Sequence, residues 1–315
     1  MFPGHQACAL NIIASFDELI VPRISSSCLC LEKMSGMAYR NRTVRIDFHT
    51  HIYPDRLAHS TVSAVRQRAA IDAYTDGTLK GLKRSMTAAG INLSVVAAVP
   101  TKPEQVASIQ RWLTGIRQPG IEAMAAMHPA DPLSPEQMRS LKEQGFRGFK
   151  FHPDYQDFFV DDPRMYPLYE RVAAEGMFIL FHAGVDRGLP HPVHGTPKRL
   201  AVVHRAVPEL RIVVAHLGGE DAYEETAAHL LGRDIYMDTS FVLRKMPGIF
   251  RERFLREHPA ERLLFASDSP WTDQGEELQF LLQLPYLTES DKEKICFSNA
   301  ARLLGLEKDI YHPEA

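Results

Sequence analysis

The chain has 315 residues, 24% charged and 45% hydrophobic, a globular balance that excludes a disordered chain or a fibre. A net charge of −3 gives no electrostatic footprint for nucleic acid, and no apolar run approaches the roughly 18 residues of a membrane span. The four cysteines, Cys8, Cys28, Cys30 and Cys296, have no metal or redox spacing and read as reduced thiols of a cytoplasmic protein.

Residues 1–43 lack periodicity, and Met34 and Met37 stand just before the first convincing strand. They read as a poorly ordered extension, or as sequence translated from too early a start. The apolar run "ACALNIIASF" is preceded by no Lys or Arg and followed by no cleavage pattern, so no secretory signal is expected.

From Arg45 onward, short apolar runs ending in polar, Gly or Pro residues alternate with amphipathic stretches. The runs are "VRIDFHTHI", "NLSVVAAVP", "IEAMAAMHP", "GFRGFKFHP", "MFILFHAG", "RIVVAHLGG", "DIYMDTSF" and "LLFASDSPW". Between them, "PEQMRSLKEQG" reads as a helix with Met138 and Leu141 buried and Gly145 closing it. In "TPKRLAVVHRAVPE", Thr196 caps and Pro197 fits the first turn. Eight such units over residues 44–315 predict one α/β domain, a (β/α)8 TIM barrel. An open doubly wound sheet announces a glycine-rich first turn, and "HTHIYPDR" has none.

A barrel puts its chemistry where strands end at the C-terminal face. His49 and His51 end the first run, His152 the fourth, His182 the fifth, His216 the sixth and Asp268 the eighth. Period-two alternation turns His49 and His51 the same way. Three neutral imidazoles and a carboxylate around an open position suit one catalytic divalent ion. Imidazole favours zinc, and the carboxylate admits manganese or iron.

These residues carry a resemblance. "DFHTH", "FHAG", "AHLGG", "FASDSPW" and "NAARLLGL", in that order over residues 44–307, resemble the amidohydrolase superfamily, in its branch around aminocarboxymuconate-semialdehyde decarboxylase and related metal-dependent hydrolases. The resemblance implies one metal held by His49, His51, His182 and Asp268. It also implies that Asp268 accepts a proton from the metal-bound water and that His216 serves as acid/base. In binuclear relatives a carboxylated lysine ends the fourth strand. Here His152 holds that end and Lys150 lies one layer deeper, which leaves Lys150 either paired with a barrel carboxylate such as Asp47 or touching a substrate anion.

His152, Arg187 and Trp271 join Lys150 as candidate substrate contacts, Arg187 because its fork matches a carboxylate. Arg187 lies in the long loop "HAGVDRGLPHPVHG" with His191 and His194, and residues 52–91, more than one helix needs, are expected to cover the mouth. The leading expectation is hydrolysis of a C–N or C–O bond in a small, anionic substrate, with non-oxidative decarboxylation on the same ligands as the alternative. A phosphoesterase would want a late Asp-x-His or an earlier strand-end glutamate, and "SDSP" and "AMAAMHP" supply neither. The expected partner is a small molecule, with no nucleic acid or membrane, and a homo-oligomer is compatible with the sequence.

Overall fold

A computed structural model describes residues 44–189 and 191–306; the expected extension at 1–43 lies outside them. The eight runs form strands β1 (Ile46–Thr50), β2 (Leu93–Val96), β3 (Ile121–Ala123), β4 (Gly148–Phe151), β5 (Phe178–Phe181), β6 (Arg211–Val214), β7 (Tyr236–Asp238) and β8 (Leu263–Leu264). Every named pairing is parallel, in the runs β1-β2-β3 and β4-β5-β6-β7-β8. Two seams join these sets into a closed barrel. Ala125 N–H donates to Gly148 O (2.8 Å) between β3 and β4. Phe48 N–H donates to Phe265 O (3.0 Å) and Asp268 N–H to His49 O (2.9 Å) between β1 and the β8 end.

Helices α1 (Asp55–Ala69), α2 (Leu79–Ala89), α3 (Val106–Ile116), α4 (Pro135–Glu143), α5 (Tyr166–Ala174), α6 (Pro197–Ala206), α7 (Tyr223–His229), α8 (Gly248–Glu257) and α9 (Gln274–Gln283) follow the strands, with α10 (Glu289–Glu293) and α11 (Asn299–Leu304) at the end. The expected signals operate. In α4, Ser134 and Gln137 form a capping box and Met138 and Leu141 are buried; Thr196 accepts from Arg199 N at the start of α6. Among the described residues no helix is long and apolar enough to cross a membrane.

One apolar core fills the space between strands and helices. A second lies inside the barrel, where Phe48, Val95, Leu180, Val213 and Leu264 meet Phe297, Ala300 and Leu304 from the last turns. Each fully buried large apolar side chain contributes about 1.5–3 kcal/mol, so this filling makes the barrel a solid support rather than a pore. Residues 52–91 form two helices, as their length demanded. The second of these, α2, packs against α9 in the outer ring, and α1 is additional. The last turn of α1 reaches the loops after β4 and β5: the Arg68 guanidinium lies 4.8 Å over the Tyr155 ring, and a side chain at Gly188 would collide with Arg68.

Candidate metal centre

Strand β1 shifts register between Asp47 and Thr50. A bulge lets consecutive residues face the same way. Phe48 keeps the interior face that Ile46 occupies two residues earlier, and His49 also meets β4 and β7 across the barrel. His51 lies just past the strand, yet its Nε2 stands 3.1 Å from His49 Nε2. Asp268 Oδ1 closes the triangle, 3.0 Å from His51 Nε2 and 3.5 Å from His49 Nε2. It is buried without a hydrogen bond. Asp268 has φ +68°, a left-handed conformation that costs a non-glycine residue energy and marks an imposed position.

The opposite edge of His49 fixes its protonation. Its Nδ1 lies 2.9 Å from Asp238 Oδ2. An ionised carboxylate only accepts, so Nδ1 carries the hydrogen and Nε2 presents a lone pair to the centre. Ser240 Oγ braces the arrangement at 2.5 Å from Asp238 Oδ1. Burial pushes His49 down to about 4, reinforced by Lys150 and opposed by Asp238 and Asp268, so the ring is neutral. Burial alone would raise Asp268, but His49, His51 and His216 together hold it well below the usual carboxylate range. Acceptors crowded this closely repel one another unless a cation stands among them. The donor set and its outer carboxylate therefore fit a divalent ion.

Lys150 reaches this centre. It is buried, with Nζ 3.1 Å from His49 Nε2. Of the two partners expected for it, Asp47 is excluded, because Asp47 accepts from Ser267 N and Oγ, Gln274 Nε2 and His49 N. Burial brings the ammonium down to about 8 against the pull of Asp238 and Asp268.

His216 and His182 form a chain whose tautomers follow from one carbonyl. Ser240 O can only accept, so His216 Nδ1, 3.0 Å away, donates to it. His216 Nε2 then accepts from His182 Nδ1 at 3.0 Å. His182 Nε2 is left as a buried lone pair with no partner. His182 does not converge with the His49–His51–Asp268 trio but groups with His152 and Asp186. His152 is a poor ligand as it stands: Nδ1 accepts from Tyr155 N (3.4 Å), so Nε2 carries the hydrogen toward Asp186 Oδ2 (3.2 Å). Its ring stacks on His182 with centroids 4.0 Å apart.

At the rim the Arg187 fork is occupied, with Nε 3.0 Å from Glu220 and Nη2 3.3 Å from Asp221. Trp271 is buried in the outer core, and its N–H donates to Asp268 O (2.9 Å). His194 pairs with Asp154 (2.9 Å) and His191 is exposed. Sequence reading missed Asp238, Ser240, Asp186 and Arg68. The available signal for Asp238 was its place at the end of the seventh run, "DIYMDTSF", the position that held histidines in other runs.

The protein is thus a closed (β/α)8 barrel whose polar constellation gathers where the strands end. The sequence model of the amidohydrolase family matches residues 46–306. The chain belongs to that family of enzymes. No curated protein matches it. Among solved structures, an uncharacterised TIM-barrel protein from Bordetella bronchiseptica is 20% identical with TM-score 0.64, covering 84% of this chain and 99% of that one. The 5-carboxyvanillate decarboxylase of Sphingomonas paucimobilis is 16% identical with TM-score 0.62, again over 84% and 99%. A dihydroxybenzoic acid decarboxylase from Polaromonas, with bound manganese and the inhibitor 2-nitroresorcinol, is 17% identical with TM-score 0.63 over 86% and 99%. At these identities the likeness is one of fold.

Proposed function

We propose that the protein is a metal-dependent, non-oxidative decarboxylase of a small aromatic or conjugated carboxylic acid. One observation carries this reading: the buried Lys150 faces the donor trio and has no ion-paired carboxylate among the described residues. Asp268 and Asp238 balance a divalent ion, and the charge on Lys150 is left for a substrate anion. The named activities of two fold neighbours, both decarboxylases, support the same choice over hydrolysis.

His49, His51 and Asp268 would hold the ion. His182 is a fourth donor by resemblance, and its bare Nε2 has the protonation state that role needs, although it must leave its stack on His152. When bound, the ion supplies a Lewis acid that polarises and orients the carboxylated group. Lys150 binds the carboxylate. As the bond between ring carbon and carboxylate breaks, carbon dioxide departs with its two oxygens and the electron pair stays on carbon. That carbon then takes a proton supplied from solvent. His216 fixes the tautomer of His182 through the Ser240 carbonyl.

A second reading, hydrolysis with a carboxylated Lys150 bridging two ions, is favoured by the same Nζ position beside His49. Metal counting and a substrate panel separate them. One ion per chain with carbon dioxide released from hydroxybenzoic acids is expected. Two ions per chain, dependent on bicarbonate, with turnover of amides or lactones alone, would overturn the decarboxylase.

A further inference from the structure

We infer that Arg68 forms a second anion subsite at the mouth, so that the substrate carries an acidic group remote from the one at the metal centre. The inference rests on the carboxylate-binding reading above and extends it. Arg68 comes from the last turn of α1, the helix additional to the outer ring. It is part-buried, and its Nε is a buried donor without a partner. Its guanidinium lies on the Tyr155 face, and the Tyr155 ring packs edge-on against His152 at 4.3 Å. His152 in turn stacks on His182. Arg68 thus overlies a continuous column of rings leading from the rim to the strand ends. It also adjoins Gly188 of the β5 loop, where any side chain would strike it.

Among the described residues no carboxylate pairs with Arg68. Its neighbours differ in this respect: Arg66 lies 3.6 Å from Asp72, and Arg187 holds Glu220 and Asp221. A guanidinium that is partly desolvated, stacked and unpaired retains its fork for a planar anion. The ring column beneath it suits a flat, conjugated body between the two acidic groups.

The test is calorimetric titration of the metal-loaded, full-length protein with paired probes: isophthalate and terephthalate against benzoate, and 4-carboxycinnamate against cinnamate. At least one dicarboxylate should bind more tightly than its monocarboxylate partner. Arg68→Gln should weaken that dicarboxylate by about 10- to 100-fold, the range of a charge-assisted contact, and leave the monocarboxylate unchanged. Arg68→Lys should recover part of the loss. Arg66→Gln and Arg187→Gln should leave the preference intact, and metal content and circular dichroism should match across all variants. Equal binding of both probe classes, or a preference that survives Arg68→Gln, would overturn the Arg68 subsite alone. If no carboxylate binds, the carboxylate reading of the centre falls with it. If the preference is found but no acid is decarboxylated, the subsite stands and the assigned reaction fails.

Discussion

The β1–β8 side of the barrel and the β4–β5 side carry the same kinds of residue at the same height, yet differ in what stands behind them. On the first side His49 is backed by Asp238, and Asp47 ties β1 to Ser267 and Gln274. On the second, His152 spends both ring nitrogens on Tyr155 and Asp186, and His182 stacks on it. An outer carboxylate that takes the hydrogen from one nitrogen aims the other lone pair inward, while an inner carboxylate removes it. Residue type at a strand end therefore does not make a ligand; the partner on its far edge does.

The largest expected effect breaks the comparison at its donors. His51→Ala should lose the metal during gel filtration and abolish activity, whereas His152→Ala should retain the metal. Metal loss of equal extent in both variants would put the ion on the β4–β5 side. Next comes His216→Asn. It should keep the metal while activity falls by about 10- to 100-fold, because the tautomer of His182 is no longer fixed through the Ser240 carbonyl. Metal content and rate must be read on one preparation, because complete metal loss would make His216 a ligand.

Asp238→Asn probes the backing itself. It should lower metal affinity by about 10- to 100-fold in a chelator competition, and an unchanged affinity would remove Asp238 from the account. The smallest effect concerns His258, which has the same two-sided bonding far from the centre: Nδ1 accepts from Gly232 and Nε2 donates to Ile235 O. Burial lowers its folded pKa to about 4, below the ordinary value of 6.5. The unfolded chain thus binds this proton first, so stability is full above about 6.5 and declines as pH falls toward 4. Denaturant titrations should show His258→Gln removing roughly 1–3 kcal/mol of that decline. A parallel slope in both proteins would show that other groups govern acid unfolding.

All eight strands were legible because each buried run is short, apolar and bounded by Gly, Pro or polar residues. The histidines and Asp268 were legible for a related reason, as polar groups are rare at such ends. The role of Asp238 was not. It arises from a contact with His49 across 189 residues of chain, which no local periodicity records. Lys150 stands two residues back from His152 along the strand, one layer deeper, and what that spacing does not record is the length of its side chain, which carries Nζ to His49. Arg187 matched a carboxylate by chemistry, but Glu220 and Asp221 reach it first. Arg68 lies on the exposed-looking end of a helix, where only the fold reveals the Tyr155 ring beneath it.

The seam between the first and last strands bears on folding as well as chemistry. β8 is only two residues long, and beyond it the join is made by Phe48 N–H to Phe265 O, Asp268 N–H to His49 O and His51 N–H to Ser269 O, and by Ser267 bonding to Asp47 across 220 residues. An ion shared by His49, His51 and Asp268 would act there as a reversible cross-link, closing a loop that spans nearly the whole barrel. Loop-closure entropy rises with the logarithm of loop length, so a cross-link between distant residues restricts the unfolded chain more than one between neighbours. Chelation would then open the barrel at this join before any other, and hydrogen exchange should quicken first at Phe48 and Asp268.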